Sequence, residues 1–281
     1  MINILFCGND KIFDGILSCT LSILKRTEST EPFTFYLFTM DVSHLNPSFL
    51  PMSQQQAEFL ENAVKKYNSQ NRVILKNVTD IYMQEFSGCP NEGAYCSPYT
   101  LIRLFADLVE ELPDKLLYLD ADILFSKDIR LLYDINIDEY EYAAARDHYG
   151  KFLVYPNYIN AGVLLLNMVE IKKSGLMVKA RELLRKKKLP FADQSALIRS
   201  TTKRLIISQR FNDQKRLYKG TVVRHFSKRL FWLPYPHTDN IKQWHIDKVH
   251  KVFKYHQFDD IFEEFLLLKE SYAKETIKNE Q

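Results

Sequence analysis

The stretch LLYLDADILF (116–125) sets two carboxylates, Asp120 and Asp122, in an otherwise apolar run. Removing an unpaired carboxylate from water costs on the order of several kcal/mol, so a compensating cation is expected close by. If the run is one extended strand, residues two apart project the same way, and the two aspartates face together across Ala121. Like charges at that spacing repel, whereas a divalent ion converts them into a ligand pair, and carboxylate oxygens suit hard ions such as Mn²⁺ or Mg²⁺. A plainer reading makes them turn or capping residues just past the strand. His225, in RHFSKR (224–229), could complete an Asp-Asp-His set, since imidazole suits Mn²⁺. Taken alone, such a histidine also reads as a hydrogen-bonded, half-buried residue.

These side chains need a scaffold, and the periodicity supplies one. INILF (2–6) is a short apolar run closed by Gly8-Asn9-Asp10, after which Ile12, Phe13, Ile16, Leu17, Leu21 and Leu24 recur at helical spacing. FTFYLFT (33–39) and RVILK (72–76) read as further strands with a helix over 53–67 between them. Such alternation predicts an α/β fold with a mostly parallel sheet covered on both faces. A surface loop is expected over 87–97, a helix over 100–111 feeding the aspartate strand, and strands at 140–146, 162–167, 205–208 and 221–226. A basic helix is expected over 169–188. From about residue 240 the tail reads as helical, with Trp244, Val249, Val252, Phe253, Ile261, Phe262, Phe265 and Leu268 packing back on the domain.

Composition narrows the class. The chain has 281 residues, 46% of them apolar, and a net charge of +3, which argues against a dedicated nucleic-acid binder. Residues 172–229 nevertheless carry 18 Lys or Arg against three acids, a local +15. That segment reads either as a face drawing an anionic donor and an anionic membrane surface, or as the solvated face of a helix around RELLRKKK. The four cysteines form no C-x-x-C pair, so reduced thiols are expected. The start lacks a signal-peptide pattern and no run approaches the roughly 18 apolar residues of a membrane span, so a cytoplasmic protein, peripheral at a membrane at most, is expected.

In open α/β sheets ligands bind beyond the carboxyl ends of the strands. Four segments fall at such places: CGND (7–10), DAD (120–122), NYINAGV (157–163) and RHFSKR (224–229). Taken together they resemble the family 8 glycosyltransferases, a retaining, metal-dependent group that includes bacterial lipooligosaccharide galactosyltransferases and glycogenin. YLDADILF (118–125) is similar to the family's D-x-D strand, NYINAGVLLLN (157–167) to its N-A-G segment and FADQSAL (191–197) to its D-Q segment. Similarity runs from the first strand to about Trp232.

The resemblance implies a single GT-A type nucleotide-sugar-binding domain over 1–235 and a short C-terminal helical extension over 236–281 packed on it. It implies Mn²⁺, with Mg²⁺ as the alternative, on Asp120, Asp122 and His225, and a UDP-hexose donor carrying galactose or glucose. The acceptor would be a glycan, glycolipid or glycoprotein. Asn9 and Asp10 would meet the uracil and ribose, and Gly8, Ser97 and Ala121 would belong to the same donor site. Arg103, seventeen residues before Asp120, would reach the phosphates and sugar; otherwise it is a surface helix arginine. Asn160, Ala161 and Gly162 would line the sugar, Asp193 would hold its hydroxyls, and Gln194 would lie under the anomeric carbon. Arg103, Asp193 and Gln194 form the implied catalytic set. The 193–194 pair also reads as an ordinary helix start after Pro190.

The sequence departs from the family after the histidine. The usual H-x-x-G-x-x-K-P-W becomes HFSKRLFW (225–232), with Lys228 at the glycine position and Phe231 at the lysine position. Lys228 or Arg229 would then supply the missing charge on the diphosphate. Asn9 stands where an aspartate is common. The altered segment after His225 motivates a second reading, a catalytically weakened sugar-nucleotide-binding or scaffold protein. A metal-dependent nucleotidyltransferase would need a Gly-rich phosphate loop after the first strand, and CGNDKIFDG (7–15) is not one.

Overall fold

The computed structural model describes residues 1–92, 97–231 and 233–279. Cys96, one of the four cysteines, and Trp232, near which the family similarity was expected to end, lie outside the described residues, as does part of the expected 87–97 loop. The chain is mixed α/β. Its strands are β1 (Ile2–Cys7), β2 (Phe33–Thr39), β3 (Arg72–Asn77), β4 (Lys115–Leu119), β5 (Ile123–Phe125), β6 (Tyr142–Ala145), β7 (Val163–Asn167), β8 (Arg204–Ile207), β9 (Val223–His225), β10 (Arg229–Phe231) and β11 (His237–Asp239).

Seven of them form one sheet in the order β3-β2-β1-β4-β7-β6-β8. Neighbours are parallel except at β7, which runs antiparallel to both β4 and β6. Every residue of β2 is buried, as a strand covered on both faces requires. On one face, helices Phe13–Arg26 and Gln54–Lys65 meet the C-terminal helix Asp259–Asn279, whose Ile261, Phe262, Phe265 and Leu268 are buried in the same core. The opposite core gathers helices Thr79–Phe86, Leu176–Lys186 and Ala192–Ser200. Of the tail's expected apolar stripe, Val249 is fully buried and Val252 is exposed.

Three expectations change. The run 116–125 is two strands: β4 ends at Leu119, and β5 leaves the main sheet to pair antiparallel with β9, Ile123 opposite His225. At the break, Asp120 N–H donates to the Gly162 carbonyl and Phe226 N–H donates to the Asp122 carbonyl, so both backbones are held by other segments. The expected helix over 100–111 is a tight 3₁₀ run, Pro98–Phe105. Its Thr100 carbonyl, the natural acceptor for an α-helical Leu104 N–H, is taken by the Arg103 guanidinium. The basic helix breaks at Gly175, which closes helix Met168–Ser174 in the left-handed region at φ 66° before Leu176–Lys186 begins.

The charges of 172–229 are partly neutralised within the fold. Arg181 is buried against Asp107 and Glu85, Arg224 is fully buried, and Lys173, Arg185 and Lys203 pair with Glu170, Glu85 and Glu139. No helix of the described residues is long and apolar enough to cross a membrane.

Candidate active site

Because β7 runs antiparallel to β4, the segment entering β7 lies at the end where β4 stops. Leu119 is opposite Val163, and Asn160-Ala161-Gly162 therefore abuts Asp120-Ala121-Asp122. β9 brings His225 to the same point through its pairing with β5. His225 Nε2 lies 3.1 Å from Asp122 Oδ1 and 3.8 Å from Asp120 Oδ2, and the three groups can share one ion. Convergence thus arises at a strand break rather than from alternation along one strand.

Gly162 is what allows the three to close up. A Cβ there would lie 2.5 Å from His225 Cε1 and 2.7 Å from Asp120 Oδ2. Its own N–H donates to Asn160 Oδ1 (3.0 Å). That donor has only one possible direction, and it fixes the polarity of a relay. Asn160 Oδ1 must accept, also from Asn212 Nδ2 (2.9 Å), while Asn160 Nδ2 donates to Asp147 Oδ2 (2.9 Å). Asn212 Oδ1 then faces His225 Nδ1 at 2.9 Å and accepts its proton. The network assigns Nδ1–H and turns Nε2 toward the aspartates, where its lone pair can meet a metal. The Asn160 side-chain amide, at a residue expected to line a donor sugar, is engaged in this relay.

Arg103 is 4% exposed and lies beneath the site rather than on a surface helix. Its Nη1 donates to the Ala161 carbonyl (2.5 Å), Nη2 to Asp120 Oδ1 (3.2 Å), and Nε lies 3.2 Å from Asp193 Oδ2. The guanidinium also covers the Tyr118 ring at 4.1 Å, and the Tyr118 hydroxyl donates to Asp120 Oδ1 at 2.6 Å. One buried cation thus braces both Asp120 and Asp193. Burial pushes the Asp193 carboxyl up from its ordinary value, and the Arg103 charge only partly offsets that. Gln194 accepts the Ala161 N–H through Oε1 at 3.0 Å, so the D-Q pair and the N-A-G segment are tied together.

In the first loop, Asn9 is buried, and the nearby Tyr99 hydroxyl donates to the Met40 carbonyl (3.1 Å). Asp10 Oδ1 is buried with no hydrogen-bond partner among the described residues, an acceptor still lacking its donor. A Cβ at Gly8 would strike the Ile12 side chain. Ser97 is exposed at the start of the 3₁₀ run, and Lys228 is exposed just before β10.

The cation that reaches Asp122 is Lys242, a residue the sequence reading passed over. Its ammonium donates to Asp122 Oδ2 and to the Phe226 carbonyl (3.1 Å). Burial alone would raise the Asp122 carboxyl, but the Lys242 charge outweighs it and holds Asp122 well below the usual carboxylate range. Gln243 beside it is fully buried and donates to the Ala121 carbonyl (2.6 Å). Trp244 lies against Gly15, where a Cβ would come within 2.6 Å of its ring. Lys242-Gln243-Trp244 keeps the first and last residues of the K-P-W sought after His225. The β10–β11 hairpin intervenes and displaces it, and a search allowing an insertion would have found it. Arg229 pairs with Asp239 across that hairpin and is not at Asp122.

Both the sequence and the fold have counterparts among known proteins. A family model described as "Glycosyl transferase family 8" matches residues 3–245, reaching just past Trp244. Among curated proteins, the chain is 38% identical over 103 residues to "Glycosyltransferase GlyA" of Streptococcus pneumoniae serotype 4, a match covering 35% of this chain and 14% of that protein. It is 30% identical over 138 residues to "Glycosyltransferase GlyE" of the same organism, covering 40% of this chain and 32% of GlyE. The chain thus spans well under two thirds of those relatives. Among solved structures, galactosyltransferase LgtC in complex with donor and acceptor sugar analogs superposes with a TM-score of 0.63, 18% identity and 96% coverage of both chains. The GlyE structure gives a TM-score of 0.60 at 17% identity, covering 94% of this chain and 63% of that one.

Proposed function

The chain belongs to glycosyltransferase family 8, and from that premise we propose that it moves a hexose, galactose or glucose, from a UDP-sugar to a glycan, glycolipid or glycoprotein acceptor with retention. The observation that carries this reading is the meeting of Asp120, Asp122 and His225 around one point. Two carboxylates and an imidazole whose Nε2 is aimed by a relay suit Mn²⁺ or Mg²⁺, and Gly162 leaves room that any Cβ would fill. Such an ion, when bound, supplies Lewis-acid stabilisation to the departing diphosphate.

The protein's own groups do the rest. The buried Asp10 Oδ1, without a hydrogen-bond partner among the described residues, accepts an N–H from the base. Lys242 supplies the cation for the phosphates, in place of the Lys228 or Arg229 expected from the sequence. Arg103 holds Asp120 and Asp193 in place from below, acting on the donor through them. Asp193 meets the sugar hydroxyls. Gln194, its Oε1 steadied by the Ala161 N–H, keeps one lone pair for the positive charge that develops at the anomeric carbon while the acceptor enters from the leaving-group side.

Lys242 also favours a working transferase over a binding-only scaffold, since the segment that looked degraded after His225 still delivers a lysine. The test is a panel of UDP-sugars with Mn²⁺, scored by UDP release. Release with one hexose donor, abolished by Asp122→Asn at any Mn²⁺ concentration, is expected. Unchanged turnover in that variant would remove the metal from the reading, and tight binding with no release would favour the scaffold.

A further inference from the structure

A second set of metal-ligating side chains converges where the chain enters its C-terminal helix. His250 Nε2 lies 2.7 Å from Asp259 Oδ1, and His256 Nδ1 lies 3.3 Å from Asp259 Oδ2. The two imidazoles stack with centroids 4.6 Å apart and planes 22° from parallel, and one ligand atom from each residue lies within 4.8 Å of the others. We propose that His250, His256 and Asp259 form a second metal site, for a borderline divalent ion such as Zn²⁺, separate from the Asp-Asp-His centre.

The backbone brings these residues together by unusual means. His250 lies in a π-helical turn, Val249–Phe253, and Lys254 then adopts the left-handed region at φ 58°, which folds the chain back and sets His256 over His250. Asp259 is the first residue of helix Asp259–Asn279. The three ligands stand on a frame fixed by the core: Val249 and Phe258 are fully buried, Phe262 is 2% exposed, and its ring meets His250 edge-on at 5.8 Å. The side chains of the ligands remain accessible, at 32%, 66% and 41% exposure, so water can complete a tetrahedral shell.

Donor chemistry separates this site from the first. Two imidazoles and one carboxylate form a nitrogen-rich set suited to Zn²⁺, whereas two carboxylates and one imidazole form a harder set suited to Mn²⁺. Without an ion, one carboxylate accepts from both rings. With one, the π-helical turn and the C-terminal helix are stapled together, and the helix that packs on Phe13–Arg26 is fixed at its first residue.

The experiment uses the full chain carrying Asp122→Asn, which silences the first site, and Zn²⁺ alone in calorimetry and thermal unfolding, with no nucleotide present. One zinc per chain and a raised Tm are expected, because an ion that binds only the folded state stabilises it. Adding His256→Ala, at an exposed position, is expected to abolish both. No uptake by Asp122→Asn, or uptake unchanged when His256→Ala is added, overturns the proposal. Neither outcome bears on UDP release, so this site and the transferase reading stand or fall separately.

Discussion

The ammonium of Lys242 is hydrogen-bonded to the carboxylate of Asp122, 120 residues earlier in the chain. The same carboxylate faces His225 through its other oxygen at 3.1 Å. A protein cation therefore sits on a residue proposed to bind a metal, and the next residue but one, Trp244, packs on the helix that begins at Phe13. The lysine is held at the mouth of the site by its neighbours rather than by its own flexible stem.

This arrangement gives Lys242→Met effects of opposite sign. With no nucleotide, Mn²⁺ is expected to bind more tightly, because the ion no longer displaces an ammonium from Asp122. With UDP, binding is expected to weaken, by about tenfold to 100-fold if one charge-assisted hydrogen bond of roughly 1.5–3 kcal/mol is lost. Calorimetry of Mn²⁺ alone and of UDP with saturating Mn²⁺ reads both. A parallel change in the two would exclude the exchange of Lys242 between Asp122 and phosphate.

Gly162→Ala tests the closeness of the metal ligands. The new methyl would meet His225 Cε1 at 2.5 Å and Asp120 Oδ2 at 2.7 Å, and the Gly162 backbone, bonded to Asp120 and Asn160, cannot retreat. Overpacking of this kind costs about 1–3 kcal/mol, and here the strain falls on two ligands. A folded protein with a lowered Tm and no Mn²⁺ uptake is expected. Normal uptake would mean that the ion does not sit between Asp120 and His225.

Asn212→Leu tests the relay. Asn212 touches no reacting group in this reading, but its Oδ1 holds His225 Nδ1–H and its Nδ2 bonds Asn160. Loss of such an outer partner typically weakens metal affinity by about 10–100-fold. Direct Mn²⁺ titration is expected to show that weakening, and the ¹⁵N shifts of His225 should show a mixture of tautomers. A single retained tautomer would show that some other group orients the ring.

Glu141 governs part of the response to acid. It is 2% exposed and accepts from Thr201 Oγ1, from the N–H and Oγ1 of Thr202 (both 2.9 Å) and from Lys203 N–H (3.2 Å). Burial alone would raise its pKa, but these hydrogen bonds from Thr201, Lys203 and Thr202 outweigh it and lower the carboxyl below its ordinary 4.5. A group lowered on folding stabilises the protein above its unfolded pKa, and that contribution is lost as pH falls through the folded value. Urea midpoints should therefore fall on acidification below about pH 4.5. Glu141→Gln should be less stable at neutral pH and lose less on acidification; an acid limb as steep as that of the wild type would assign the loss to other carboxylates.

The sequence by itself determined the parallel core and the identity of the proposed metal ligands. The apolar runs of β1 to β3 and the helices between them are local signals, and two acids among leucines require a compensating charge wherever they lie. Asp120 and Asp122 stood out as charges in an apolar run and His225 as an imidazole able to join them, whereas Arg103, Asp193 and the N-A-G segment were named only through the resemblance to the family's motifs. Tertiary structure decided how they meet. Whether 116–125 was one strand or two depended on the hydrogen bond from Asp120 N–H to the Gly162 carbonyl and that from Phe226 N–H to the Asp122 carbonyl, which no local pattern encodes. The burial of Arg103 followed from partners on three other segments, Asp120, Ala161 and Asp193. Lys242 was hidden by the hairpin that separates it from His225, since spacing along a chain says nothing about distance once a β-hairpin folds the intervening residues away. Asn212 carries no motif at all, and only the one-way donor at Gly162, two hydrogen bonds removed from it, shows why an amide must stand there.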